Sequence, residues 1–107
     1  MTVKFRNILQ LSGYTIRKRS DIMKEFCYKI TDEVGIHARP AGLLVKASAG
    51  FGSEIRLHHG EKAADAKKIF SVMGLGAKKG DEIRITIRGD DEETAAQELK
   101  RFFEENL

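Results

Sequence analysis

The sequence predicts an α+β fold in which the strands form a sheet that is covered by three helices on a single face. Four short segments alternate apolar and polar residues, which is typical of strands with one buried and one exposed face. Three other segments carry apolar residues at helical spacing, in the order strand, helix, strand, strand, helix, strand, helix. Because each strand buries one face only, we expect all three helices on the same side of the sheet.

The first half of the predicted domain contains three strands and one helix. Residues 24–31 form the first strand, and residues 41–49 form the first helix, which ends at Gly50. The second and third strands cover residues 54–58 and 61–64, joined by a turn at His59 and Gly60. The apolar side of the helix is assigned to four residues: Leu43, Leu44, Val45 and Ala47.

The adjacent histidines His58 and His59 invite interpretation as metal ligands. Neighbouring residues of a strand point to opposite faces, and no third ligand lies at a useful spacing. We therefore predict solvent-facing turn histidines and no metal site.

The second half contains two helices and the clearest strand of the chain. Residues 66–75 are predicted to be a short helix, ended by Gly74 and Gly76. The strand at residues 82–88 alternates isoleucine with charged or hydroxyl residues, and acidic residues crowd the first turn of a last helix at residues 92–105. The inner stripe of that helix is assigned to three residues: Ala95, Leu99 and Phe102.

The charge of the chain is unevenly distributed. The 107 residues carry a net charge of +3, but residues 1–22 hold five basic side chains and one acidic, whereas residues 23–107 hold 14 basic and 15 acidic. The domain proper is therefore nearly neutral, and it has no aromatic stacking motif, which argues against nucleic-acid binding.

A lone cysteine, Cys27, rules out an internal disulfide and favours a reducing compartment. With no apolar run long enough to span a membrane and no signal peptide, we expect a cytoplasmic protein without membrane insertion.

The chemistry is predicted to lie in the segment Gly35 to Ala41, GIHARPA. Proline is tolerated in the first helical turn, so Pro40 places the helix start close to His37. The backbone N–H groups of Ala38 and Arg39 then point at whatever His37 carries, and a helix N-terminus attracts anions. Arg39 adds a permanently charged guanidinium that matches phosphate oxygens, while the helix dipole disfavours the imidazolium form of His37. The segment predicts a site that holds a phosphoryl group on His37, clamped by Arg39.

Two motifs, GIHARPA and the later KIFSVMGLG at residues 68–76, resemble those of the HPr family, the histidine phosphocarriers of the bacterial sugar phosphotransferase system. The resemblance covers residues 23–107. It implies an open-faced β-sandwich, a four-stranded antiparallel sheet with strand order 1-4-2-3 and three helices on one face. It also implies that enzyme I, phosphorylated by phosphoenolpyruvate, donates to Nδ1 of His37, which then donates to enzyme IIA domains of sugar permeases. Such a protein carries the group stoichiometrically and is no enzyme; we expect a monomer without a cofactor.

The second motif is more apolar than one helix face can bury. Val72 and Leu75 share a face suited to the core, so the segment is either a fully buried short helix or a helix with an exposed docking patch. The resemblance assigns partner contacts to four residues: Gly42, Ile69, Phe70 and Met73.

The second motif departs from the family at its first residue. Lys68 stands where many Gram-positive members have a serine that a regulatory kinase modifies, which puts that regulation in doubt. Ser71, three residues later, is a poor substitute acceptor because it lies within the helix rather than at its entrance.

Residues 1–22 match nothing in the family, whose members usually begin where Met23 stands. This basic extension is either not translated or a flexible appended segment, with apolar residues before Arg17, Lys18 and Arg19 that could form a weak amphipathic helix for an anionic surface.

An alternative function for the domain is a regulatory adaptor, or a nitrogen-branch phosphotransfer protein, that binds partners without sugar transport.

Overall fold

The protein was analysed as a computed structural model, which describes residues 23–107. The interpretations of the extension at residues 1–22 therefore lie outside the described residues. Seven elements follow in the predicted order: β1 (Lys24–Lys29), α1 (Ala38–Ala49), β2 (Glu54–His59), β3 (Lys62–Asp65), α2 (Ile69–Met73), β4 (Glu82–Arg88) and α3 (Glu92–Asn106).

The four strands form one antiparallel sheet in the order β1-β4-β2-β3. The last strand of the sequence is thus central in the sheet. Its Ile85 lies opposite Phe26 of β1 on one side and Leu57 of β2 on the other. The strand order expected from the family resemblance is confirmed.

One face of the sheet is buried and the other is open. On β4 the side chains of Ile83, Ile85 and Ile87 are fully buried, whereas Glu82 and Arg84 on the opposite face are exposed. The helices cover the buried face: α3 packs on β1 and β4, and α1 packs against both α2 and α3. This is the predicted open-faced sandwich. Within residues 23–107 no helix combines the length and the apolar character needed to cross a membrane.

Helix α1 begins earlier than predicted, at Ala38, because the N–H of Ala41 already donates to the His37 carbonyl at 2.9 Å. The assignment of its apolar side was wrong for Leu43, which is 41% exposed. The buried residues of α1 are Pro40, Ala41, Leu44 and Ser48.

In α3 the central aromatic residue is Phe103 rather than the predicted Phe102. The ring of Phe103 is fully buried and lies 6.1 Å from that of Phe26, 5.5 Å from that of Tyr28 and 6.0 Å from that of Phe102. Phe102 is only half-buried and packs at the edge of this cluster. Because both Phe102 and Phe103 are apolar, the sequence pattern does not show which ring enters the core, and packing decides it.

Helix α2 is shorter than the predicted residues 66–75. The N–H of Ala66 donates to the Ile55 carbonyl at 2.9 Å and prolongs the β2–β3 pairing, so Ala66 cannot join a helix. Asp65 then turns the chain: its carboxylate accepts from the N–H of Lys67 at 2.9 Å and its carbonyl from the N–H of Lys68 at 3.0 Å. The helix starts only after this turn.

The prediction of solvent-facing turn histidines was wrong, because both rings are half-buried and bonded. The Nδ1 of His59 lies 2.8 Å from the Leu75 carbonyl, and its Nε2 lies 3.1 Å from a carboxylate oxygen of Asp81. The Nε2 of His58 lies 3.2 Å from Oγ1 of Thr86. Burial lowers the pKa of His58, and the neighbouring Arg84 and Arg56 add to the shift.

Candidate functional site

The candidate site is built on a tight loop between β1 and α1. The carboxylate of Asp32 accepts hydrogen bonds from the N–H groups of Val34 at 3.0 Å and Gly35 at 3.1 Å. Gly35 has a φ of +82°, and a Cβ at this position would collide with the Ala77 carbonyl oxygen. The same carbonyl accepts from the N–H of Ile36 at 3.1 Å, which fastens the loop to the segment before β4. Glycine is therefore required where the chain turns toward His37.

The side chain of His37 stands in the open at the start of α1. His37 is the N-cap residue, as predicted, and has an extended backbone conformation. Its ring is 41% exposed and makes no capping hydrogen bond. Within residues 23–107 its Nδ1 has no hydrogen-bond partner, so this nitrogen is free to react.

The first turn of α1 offers positive groups beside this ring. The N–H groups of Ala38 and Arg39 precede the first intrahelical bond, and neither meets an acceptor among the described residues. The turn contains no acidic residue. Arg39 is exposed, and its guanidinium pairs with no carboxylate in the described part of the chain. Two amides and one guanidinium are thus available to an anion held on His37.

Asp32 was not among the predicted site residues, but its carboxylate lies beside the ring of His37. Its Oδ2 lies 3.7 Å from Nε2 of His37. That distance is beyond a hydrogen bond but within the range of strong electrostatic interaction. The turn sequence Asp-Glu-Val-Gly carried a signal for it, because an aspartate commonly accepts from the turn N–H groups two or three residues later and so points forward along the chain, here toward His37.

The exposed apolar residues of α2 and the adjoining turn of α1 form a surface that we call the α2 patch: Gly42, Ile69, Phe70 and Met73. Phe70 is 85% exposed and Met73 37% exposed, while Ile69 is half-buried. A Cβ at Gly42 would lie 3.8 Å from Cδ1 of Ile69, so the patch continues onto α1 close to the site. Val72 and Leu75 are buried. The fully buried short helix is therefore the wrong alternative, and the predicted exposed patch is present.

Lys68 and Ser71 flank and interrupt the patch without joining the site. Lys68 is the N-cap residue of α2, exposed and extended, and Ser71 is exposed within the helix. The position of Ser71 within the helix is as predicted, whereas Lys68, which the predicted helix at residues 66–75 included, precedes the helix.

The site is an open surface rather than a cavity. A depression of about 220 Å³ lies on the open face of the sheet, lined in part by Glu54, Arg56 and Arg88, and His37 is not among its walls. Within residues 23–107 no group of three histidine, cysteine or acidic side chains is close enough to hold a metal ion.

An open-faced α+β sandwich with an exposed imidazole at the start of its first helix defines the class of small histidine phosphocarriers. The family model described as "PTS HPr component phosphorylation site" matches residues 24–105. The chain belongs to the HPr family.

Individual relatives agree with this membership. The chain is 42% identical over 79 residues to the phosphocarrier protein HPr of Mycoplasma capricolum, covering 74% of this chain and 89% of the relative. The solved structure of a mycoplasma histidine-containing phosphocarrier protein matches with a TM-score of 0.72 and 40% identity, over 74% of this chain and 90% of that one.

A third relative is Crh, a catabolite repression protein of Bacillus subtilis, whose crystal structure is described as a dimer with a swapping domain. It matches with a TM-score of 0.63 and 30% identity, over 75% of this chain and 92% of that one.

Proposed function

We propose that the chain is a phosphocarrier that accepts a phosphoryl group on Nδ1 of His37 from phospho-enzyme I and passes it to enzyme IIA domains of sugar permeases. The observation that carries the proposal is the exposed imidazole of His37 at the N-terminus of α1. Within residues 23–107 its Nδ1 has no hydrogen-bond partner, and the amides of Ala38 and Arg39 in the adjoining first turn meet no acceptor. The phosphoryl group comes originally from phosphoenolpyruvate.

The chemistry consists of two transfers of one group. In the first, the Nδ1 lone pair attacks phosphorus, and the bond to the donor breaks with its electron pair remaining on the donor. In the second, the acceptor attacks phosphorus and the P–N electron pair returns to Nδ1. The Arg39 guanidinium clamps the phosphoryl oxygens, and the Ala38 and Arg39 N–H groups complete the cradle. The domain positions the group and neutralises its charge, so the turnover belongs to the partners.

The α2 patch is the docking surface in this proposal. Exposed apolar side chains beside a reactive group mark a protein-binding surface, and the flexible side chain of Met73 adapts to more than one partner. Phe70, the most exposed of these residues, is the principal contact.

In this proposal the carrier acts in the cytoplasm as a monomer. Sedimentation equilibrium across a range of protein concentrations tests the monomeric state.

The test of the proposal is phosphoryl acceptance. The protein is incubated with phosphoenolpyruvate and a general enzyme I, and the bound phosphate is examined for the acid lability and alkali stability of a phosphohistidine. We expect acceptance by the wild type and by the matched control His58→Gln, and none by His37→Ala. Acceptance that survives in His37→Ala contradicts the assignment.

A regulatory adaptor is the second candidate, favoured by the likeness to Crh and by the exposed α2 patch. The adaptor needs the patch but not the imidazole. If a partner binds wild type and His37→Ala equally while no phosphoryl transfer occurs, the adaptor replaces the carrier.

A further inference from the structure

We propose that Asp32 is a positioning residue that keeps the ring proton of His37 on Nε2 and leaves the lone pair on Nδ1. The inference about the free protein rests on geometry alone. Its consequence for phosphoryl transfer rests on the proposed function.

The carboxylate of Asp32 is held in place from two directions. The main-chain N–H of Asp32 donates to the Leu107 carbonyl oxygen at 2.7 Å, which connects the residue to the end of α3. Its Oδ2 accepts the N–H groups of Val34 and Gly35. The side chain is 34% exposed, so its charge is only partly screened by water. The oxygen facing His37 is therefore fixed rather than free to rotate away.

A neutral imidazole carries one proton, on either nitrogen. A negative oxygen 3.7 Å from Nε2 attracts an N–H at that nitrogen and repels a lone pair there. Nδ1 makes no capping bond, in which its lone pair would accept a helix N–H, so that lone pair stays available. The geometry thus favours the tautomer whose lone pair is on Nδ1, the nitrogen that the proposed transfer uses.

The same carboxylate assists departure of the phosphoryl group. When the P–N bond breaks, its electron pair returns to Nδ1. The leaving group is a neutral imidazole if Nε2 carries a proton and an unstable imidazolate anion if it does not. By stabilising the proton on Nε2, Asp32 keeps the phosphorylated ring ready to give up its group.

The test separates the charge of Asp32 from its structural role in the turn. In Asp32→Asn the amide oxygen still accepts from Val34 and Gly35, but the negative charge is gone. The matched control is Glu33→Gln, which removes a charge from the next residue, an exposed side chain paired with Lys79 at 2.8 Å.

The first measurement is the ¹⁵N spectrum of the His37 ring in the unphosphorylated protein, at a pH where the ring is neutral. We expect the ratio of the Nε2–H to the Nδ1–H tautomer to fall by about threefold or more in Asp32→Asn, and to stay at the wild-type value in Glu33→Gln. Backbone amide shifts of Val34 and Gly35 report whether the turn is intact. An unchanged tautomer ratio with an intact turn overturns the proposal.

The second measurement is the hydrolysis rate of the phosphorylated protein, prepared with phosphoramidate so that no protein partner is involved. We expect hydrolysis to slow by about threefold to tenfold in Asp32→Asn, and not in Glu33→Gln. Equal rates overturn the assistance to departure. If His37 accepts no phosphate at all, the proposed function fails while the tautomer result still stands.

Discussion

His37 differs from His58 and His59 in what its ring nitrogens contact. Both nitrogens of His59 are engaged, by a carbonyl and a carboxylate, and His58 is bonded to Thr86. His37 has one nitrogen facing Asp32 and the other unbonded within the described residues. Within residues 23–107, His37 is thus the one histidine whose ring makes no hydrogen bond, which is what the proposed acceptor role requires of it.

The first residue-scale prediction concerns the guanidinium beside this ring. Arg39→Gln is expected to slow acceptance from phospho-enzyme I by about 10- to 100-fold, because a charge-assisted hydrogen bond contributes about 1.5–3 kcal/mol. The rate is measured by rapid quench with labelled phosphoenolpyruvate.

The control for Arg39 is Arg101→Gln, which removes an equal charge from an exposed α3 residue paired with Glu98 at 3.3 Å. Its rate should match that of the wild type. An unaltered rate in Arg39→Gln would remove that residue from the phosphate clamp.

At the scale of elements, the loop between β1 and α1 determines where the site stands. The N–H of Ile36 donates to the carbonyl of Ala77, in the segment that leads into β4, and Gly35 packs closely against that carbonyl. The loop is therefore positioned by the centre of the sheet rather than by α1 alone. Changes that separate Gly35 from Ala77 should move His37 even though they touch no reacting group.

Gly35→Ala tests this connection. The φ of +82° costs an alanine about 1–3 kcal/mol, and its Cβ would also collide with the Ala77 carbonyl. We expect a loss of unfolding free energy larger than that of the control Gly60→Ala, where φ is +62° but nothing lies within 4 Å of a Cβ. Urea titration of both variants measures the difference. Equal losses would mean that the loop yields without cost.

Substitutions on the exposed and buried sides of α2 are expected to have opposite effects on partner binding and on stability. Phe70→Ser is expected to weaken binding to enzyme I at least tenfold by calorimetry, with little change in Tm, because the ring is exposed. Val72→Ala, on the buried side of the same helix, is expected to lower stability by about 2 kcal/mol. A large thermal loss in Phe70→Ser would indicate a structural rather than a docking role.

At the scale of the whole molecule, Asp91 joins the two halves of the chain. Its carboxylate accepts from the N–H groups of Gly52 at 2.9 Å and Ser53 at 3.0 Å and from the Ser53 hydroxyl. Asp91 is the N-cap residue of α3 but makes no capping bond with its side chain, which serves the start of β2 instead. The Ser53 hydroxyl, followed by the Gly52 amide, lowers the pKa of Asp91 below its ordinary 3.8.

This lowered pKa predicts a pH dependence of stability. In the unfolded chain the pKa of Asp91 is its ordinary 3.8, and above that pH the ionised carboxylate stabilises the fold fully. This contribution is lost as the pH falls through the lower pKa of the folded state. We expect Asp91→Asn to lower the urea midpoint at neutral pH, and the gap from the wild type to close as the pH falls below 3.8 and through the lower pKa of the folded state. A gap that is constant with pH would show that the charge of Asp91 contributes nothing.

Much of this architecture was predictable from the residues. Alternation in β1, β2 and β4 specified a sheet with one buried face, and β4 has the predicted bounds. Pro40 located the helix start next to His37. The strand order came from the family resemblance, since alternation does not say which strands are neighbours.

What the residues left undecided depends on contacts between distant segments. The start of α2 was predicted too early because Ala66 bonds to Ile55 instead of joining the helix. The two half-buried histidines were mispredicted because Leu75, Asp81 and Thr86 approach them from other elements. The proximity of Asp32 to Nε2 of His37 depends on the same kind of folding, here of a loop stabilised by Ala77. Such pairings become visible only once the chain has closed on itself.

The continuity between α1 and the α2 patch, through Gly42 and Ile69, limits how a carrier of this shape can operate. In the proposed function one face binds both the protein that delivers the phosphoryl group and the protein that collects it, so the two cannot be bound at the same time. The time between the two phosphoryl transfers then depends on how quickly each complex dissociates. A mutation that raised the affinity for a partner would therefore slow the overall transfer of the group.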